Sequence, residues 1–182
     1  MKKFKALSPW IECGLVAIAA LSRLLPHAPN FTAIGAIALF AGYYFRSGRS
    51  AFVISIAAMI LTDLFIGTHP TLVWVYGAFA LIAVLGAALS TNRFTWFKTG
   101  VTSLTAAGVF FVVTNFGVWV SAGLYPHTRM GLARCFAAAI PFFGNTLVAQ
   151  FVFGLPLFAL HRFLARQSAL EAQGPTPVGK IA

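Results

Sequence analysis

The chain has 182 residues, of which 59% are hydrophobic and only 9% are charged, and its formal net charge is +10. This composition excludes a water-soluble globular protein, because too few polar side chains remain to cover a surface in water. The positive charge lies in short loops and tails, where it is retained on the cytoplasmic side of a membrane, so no nucleic acid is needed as a partner.

Six apolar stretches follow one another, each close to the length that a bilayer requires. They cover residues 8–24, 31–45, 51–66, 71–90, 98–122 and 144–161. We therefore predict an all-α membrane protein with six transmembrane helices in one domain, residues 1–182. Residues 1–7 and 167–182 are expected to be cytoplasmic tails.

The segment 129–143 has two interpretations. It is apolar but contains Arg129 and Arg134, and Pro141 followed by Gly144 is expected to break or kink a helix. We predict a short helix on the outer face before the last span. A single long helix is the alternative.

Positive charge predicts the orientation. Ten of the thirteen Lys and Arg residues fall at one end of the predicted bundle. They are Lys2, Lys3, Lys5, Arg46, Arg49, Arg93, Lys98, Arg162, Arg166 and Lys180. The positive-inside rule makes that end cytoplasmic, with both termini inside the cell.

Polar side chains gather at the opposite end when they are placed by helical rise. We predict that they form a substrate-binding site open to the outside. The predicted site residues are Arg23, His27, Asn30, Asp63, His69, Asn115, Trp119, Tyr125, His127 and Arg129.

Asp63 lies within the third apolar stretch, where an isolated charge is costly. Arg23 is the basic residue at a comparable depth, and an Arg fork matches a carboxylate, so we predict that these two side chains pair. The pair either ties two helices together or contacts a ligand directly.

Three histidines, His27, His69 and His127, are predicted at the outer end with Asp63. Together they have the ligand types of a divalent metal site. No two of them have helical i, i+4 spacing, so capping of loops is the favoured alternative, and the identity of any metal stays unknown. Trp119 and Tyr125 are interpreted either as pocket walls or as an interfacial aromatic belt.

Two short-range patterns predict local structure. Small residues four apart, Ala38 with Gly42 and Ala83 with Ala87, predict close packing of their helices. Asn30 begins a glycosylation sequon but is more simply interpreted as the N-cap of the second helix.

Three longer stretches carry a family resemblance. They are RLLPHAPNFTAIGA at 23–36, DLF at 63–65 and TNFGVW at 114–119. With them, the chain resembles an uncharacterised family of small bacterial six-helix inner-membrane proteins. That family is in turn similar to the substrate-binding S components of energy-coupling-factor (ECF) transporters in size, helix number and an outer binding face.

The resemblance implies a compact six-helix protein that captures a vitamin-like molecule or a metal complex and then topples in the membrane on meeting an ECF-type energising module. It admits a cobalt-containing or other metal ligand as the substrate and implies no resident cofactor. S components often carry an Ala-x-x-x-Ala pair on the first helix. This chain departs from that pattern, because none of Ala17, Ala19 and Ala20 has an alanine four residues away.

Two other classes of function remain as alternatives. A membrane enzyme would use Asp63 and His27 as acid and base, although the chain has no recognised catalytic spacing. A structural or assembly protein would not need a concentrated polar cluster at one end. The sequence therefore favours transport, with the lipid bilayer and a small-molecule substrate as partners.

Overall fold

The computed structural model describes residues 2–91 and 94–173, and of residues 2–8 and 172–173 it describes the backbone alone. This part of the chain forms six helices. They are α1 (Lys2–Leu24), α2 (Ile34–Phe45), α3 (Gly48–Ile66), α4 (Leu72–Ser90), α5 (Trp96–Ser121) and α6 (Arg129–Gln173). The prediction of an all-α protein with six helices is confirmed over these residues.

Four of the helices are long and apolar enough to cross a membrane, namely α3, α4, α5 and the part of α6 up to Glu171. The apolar helix α2 has only 12 residues. At the usual helical rise it is about 18 Å long, which is shorter than the hydrocarbon core of a bilayer. The membrane character follows from these apolar helices, whereas six complete spans stay a prediction.

Helix α2 occupies the centre of the bundle. It packs against each of the other five helices, which follow one another around it in the order α1, α3, α4, α5 and α6. The side chains of Ala36, Ile37, Ala38, Leu39 and Ala41 are completely buried. A helix that is apolar on all sides suits such a central position, since its neighbours cover every face.

Helices α2 and α4 approach each other closely through small residues. A Cβ atom on Gly42 would overlap the carbonyl oxygen of Ala83 and lie 2.8 Å from the amide nitrogen of Ala87. Gly86 meets the backbone of Leu39 in the same way. The close packing predicted from these small residues is therefore confirmed between α2 and α4.

The separate short helix predicted at 129–143 is wrong, because α6 runs without a break from Arg129 to Gln173. Pro141 lies inside this helix. The ring of Phe111 on α5 lies 5.5 Å from that of Phe136, before the proline, and 4.9 Å from that of Phe143, after it. This packing before and after Pro141 stabilises the continuous helix. Neighbouring helices often do so where a membrane helix contains a proline.

The predicted tails are helical where the structure describes them. Helix α1 begins at Lys2, and α6 continues to Gln173 through Ala, Leu, Arg and Gln residues with high helix propensity. Residues 174–182, which include Lys180, and the predicted loop residue Arg93 lie outside the described part of the chain.

Candidate functional site

A cavity of about 720 Å³ lies at the end of the bundle where α1 connects to α2, α3 to α4 and α5 to α6. We call this the cavity end. Residues from all six helices and from the three connections line it. Its volume falls within the range of about 300–1,000 Å³ that is typical of small-molecule sites.

Much of the cavity wall is apolar. Its buried lining residues include Ile34, Met59, Phe79, Ile82, Ala106 and Ala107. The ring of Phe110 lies 5.2 Å from that of Phe79 at an interplanar angle of 32° and adds a second aromatic surface. Such a wall favours the apolar body of a ligand, while polar groups fix its orientation.

Six of the ten predicted site residues line this cavity. They are Arg23, His27, Asn30, His69, Asn115 and Tyr125. The other four predicted residues, Asp63, Trp119, His127 and Arg129, are not part of its lining. The fold thus brings residues from four segments of the chain to one cavity.

The predicted pairing of Arg23 with Asp63 is confirmed, since Arg23 Nη1 donates to Asp63 Oδ1 at 2.5 Å. The same nitrogen donates to the hydroxyl of Thr62, and Tyr76 donates its hydroxyl to Asp63 Oδ2 at 2.6 Å. Asp63 therefore joins α1, α3 and α4 while it stays behind Arg23. Arg23 reaches the cavity with its charge already neutralised.

The connection from α1 to α2 forms one side of the cavity mouth. Phe31 N donates to Ala28 O at 2.9 Å, and Asn30 has a φ of 62°. This left-handed conformation after Pro29 is that of the third residue of a type II turn, a position that Asn tolerates well. The prediction of Asn30 as an N-cap is therefore wrong, because α2 begins only at Ile34.

His27 caps the end of α1. Its Nδ1 lies 2.8 Å from Ala28 O and its Nε2 lies 3.2 Å from Arg23 O. His69 on the next connection pairs through Nδ1 with Thr71 Oγ1 at 2.9 Å. Both rings reach the cavity mouth while hydrogen-bonded to their own loops, as the capping interpretation predicted.

Asn115 lies on the wall formed by α5. Its Nδ2 donates to Phe111 O one helical turn earlier at 2.7 Å. Its Oδ1 is then the acceptor that it offers to a ligand. Cys135 Sγ donates to the backbone carbonyl of Asn115 at 3.3 Å and so links α6 to this wall.

Trp119, His127 and Arg129 belong to the structure of the connection from α5 to α6. Trp119 Nε1 donates to Pro126 O at 3.1 Å, and the Trp119 and His127 rings are 5.4 Å apart. Arg129 is exposed at the start of α6. Of the two aromatic residues interpreted as pocket walls, only Tyr125 lines the cavity.

The predicted histidines do not converge. Across residues 2–91 and 94–173, no group of three or more His, Cys, Asp and Glu side chains is close enough to hold a metal ion. The polar groups at the cavity are instead suited to hydrogen bonding.

Several lining residues were not among the predicted site residues. Gln150 of α6 and Thr114 of α5 are buried polar residues that line the cavity. Tyr76 holds Asp63 from α4. Their polarity within apolar stretches is a signal visible in the sequence, but which face of each helix points inward is not.

Comparison with known proteins assigns a family. A family model described as a family of unknown function, DUF6580, matches residues 4–173. The chain belongs to DUF6580. No curated protein and no solved structure matches it. The DUF6580 match includes every residue of the cavity lining, from Arg23 to Gln150.

Proposed function

We propose that this DUF6580 protein captures a small molecule in the cavity and serves as the substrate-binding protein of a membrane importer. The observation that carries the proposal is the cavity of about 720 Å³, to which all six helices contribute. A packed helical bundle normally has few voids larger than a water molecule. A void of this size with a few polar groups is the usual form of a ligand site.

The charge distribution supports an orientation for this importer. Arg46, Arg49 and Lys98 lie beside the connections from α2 to α3 and from α4 to α5, at the end of the bundle away from the cavity, and Arg162 lies in the last part of α6. By the positive-inside rule that end is cytoplasmic. We therefore propose that the protein lies in the bacterial inner membrane with its cavity open to the outside.

The proposed mode of action is that of an ECF S component. Six helices, a cavity at one end and basic residues at the other end support it. In this proposal, the substrate is a vitamin-like molecule or a metal complex, and an ECF-type energising module supplies the energy. The first helix lacks the Ala-x-x-x-Ala pair, so contact with the module would use other residues of α1.

The position of Asp63 favours binding over catalysis. Both of its carboxylate oxygens accept hydrogen bonds, one from Arg23 and one from Tyr76. A general acid or base must reach the reacting atom of its substrate. Asp63 does not line the cavity, and His27 bonds to its own loop, so we do not propose the enzyme function.

The proposal is tested by filling the cavity. Ala107 lines the cavity and is 1% exposed, whereas Leu104 lies on the same helix and is 52% exposed. A107W places an indole in the cavity, and L104W places the same group on the outer surface. We expect native mass spectrometry to detect a small molecule on the wild type and on L104W but not on A107W.

A matching uptake assay completes the test. Cells that express the wild type or L104W should accumulate the identified molecule, and cells that express A107W should not. The proposal is wrong if A107W folds, as judged by its thermal unfolding, and still retains and imports the molecule. It is equally wrong if the wild type purified from its native membrane carries no small molecule.

A further inference from the structure

Gln150 has a buried amide group without a partner. Its side chain is 4% exposed, and among the described residues no group accepts a hydrogen bond from its Nε2. Leaving a buried donor unsatisfied costs roughly 1–3 kcal/mol, so native proteins rarely tolerate it without a reason. Gln150 lies in the lining of the cavity, and a half-turn of its terminal amide exchanges Nε2 with Oε1, which has no partner in the described part of the chain either, so that a bound molecule can accept this bond.

The opposite wall leaves room for the amide. Gly35 of α2 also lines the cavity, and a Cβ atom there would lie 3.0 Å from Gln150 Oε1. This distance is tighter than most contacts of a real Cβ atom, so a larger residue would press on the amide. The glycine thus lets the amide group lie between α2 and α6.

The ion pair of Arg23 with Asp63 leaves the cavity lining without an uncompensated Lys, Arg, Asp or Glu charge among the described residues. Arg23 is the one lysine, arginine or acidic residue among the described lining residues, and Asp63 neutralises it. Ile34, Phe79 and Ile82 are buried lining residues without any polar side-chain atom. A charged group placed here would lose its hydration without gaining a counter-ion, which is costly.

We propose that Gln150 selects the substrate, which is a neutral, largely apolar molecule that presents a hydrogen-bond acceptor to Nε2. A carbonyl oxygen of an amide or lactam has the required chemistry. This inference rests on the proposed function, because it assigns the substrate class of the same cavity. It goes further by excluding anionic substrates whose charged group would lie against Gln150.

Three probes with the same biphenyl body test the acceptor and the charge separately. They are biphenyl-4-carboxamide, which is neutral with a carbonyl acceptor, biphenyl, which has no acceptor, and biphenyl-4-carboxylate, which is anionic. Binding is measured by titration of the full chain in lipid nanodiscs. Comparing protein variants with the same probe cancels the partition of that probe into lipid.

The decisive variant is Q150M, which keeps the length of the side chain and removes the donor. Its control is Q167M, because Gln167 lies on the same helix and is exposed away from the cavity. We expect Q150M to weaken carboxamide binding roughly tenfold and to leave biphenyl binding unchanged, while Q167M changes neither. In the wild type, after correction for the partition of each probe into protein-free nanodiscs, the carboxylate should bind at least roughly tenfold more weakly than the carboxamide.

A second variant, G35A, tests the same contact if Q150M does not fold. It retains the donor but displaces the amide, so it should also weaken carboxamide binding while biphenyl binds as before. Equal effects of Q150M on carboxamide and biphenyl would overturn the inference, since the loss of binding would then not depend on an acceptor in the probe. Carboxylate binding as tight as carboxamide binding would overturn it as well.

The proposed function and this inference fail in different ways. If the wild type binds none of the three probes, the inference is overturned. A molecule that co-purifies with the wild type and is lost from A107W would then still support the proposed function. If no such molecule is found either, both are wrong.

Discussion

Arg23 of α1 donates to Asp63 of α3 at 2.5 Å, although the two residues are 40 positions apart in the chain. Their side chains are 15% and 6% exposed, so little water screens the ion pair. Tyr76 of α4 binds the other oxygen of the carboxylate. One aspartate therefore joins three helices at the cavity end, and its removal should affect more than one of them.

D63N is expected to destabilise the protein by about 3 kcal/mol, because it leaves the Arg23 charge buried without a counter-ion. Y76F removes only one hydrogen bond and should cost about 1 kcal/mol. The measurement is thermal or denaturant unfolding of the purified protein in detergent. The double variant R23M/D63N removes both charges and should be more stable than D63N alone. If it is instead less stable than D63N, the ion pair is not the source of the loss.

G42A is expected to destabilise the protein by about 1–3 kcal/mol, since the added methyl group would overlap the backbone of α4. Gly77 provides a matched control on α4, because nothing lies within 4 Å of a Cβ atom there. G77A should be neutral or stabilising by up to about 1 kcal/mol, as alanine favours a helix over glycine. Equal unfolding temperatures for the two variants would contradict the close packing of α2 on α4.

The sequence predicted the features that depend on a single strong constraint. The pairing of Arg23 with Asp63 followed because a charge at membrane depth has few possible partners. The gathering of His27, His69 and Tyr125 at one end followed because alternate connections of a helical bundle lie on the same side. Both predictions needed only the order of the helices and their approximate lengths.

The features that depend on contacts between distant segments could not be predicted. Pro141 is a local signal for a helix break, but the packing of Phe111 on both sides of it is a tertiary feature. Gln150 is visibly a polar residue in an apolar stretch. That its amide lacks a partner depends on how closely α2 approaches at Gly35, which no local pattern encodes.

N30G is expected to leave stability unchanged or slightly increased, whereas N30V should cost about 1–2 kcal/mol. The reason is the φ of 62° at Asn30, which glycine adopts freely, asparagine tolerates and a β-branched residue resists. Thermal unfolding of both variants gives the comparison. Because N30G keeps the turn but removes the side chain, its ligand affinity also shows whether the Asn30 amide contacts the ligand. A stable N30V variant would contradict the left-handed turn.

N145A is expected to loosen the connection from α1 to α2. Asn145 Nδ2 donates to Pro29 O at 3.0 Å, a bond that spans 116 positions of the chain and fastens this connection to α6. Its loss should cost about 1 kcal/mol. Hydrogen exchange should then quicken in peptides that cover residues 25–33, because the connection opens more often when fewer contacts hold it.

S168A is the control for this experiment. Ser168 also lies on α6, but its hydroxyl donates to Leu164 O within the same helix at 3.1 Å. S168A should leave exchange in residues 25–33 unchanged. Because Pro29 and Asn30 line the cavity, the looser connection in N145A should also speed the release of a bound ligand. Unchanged exchange and unchanged release in N145A would mean that other contacts hold the cavity mouth in place.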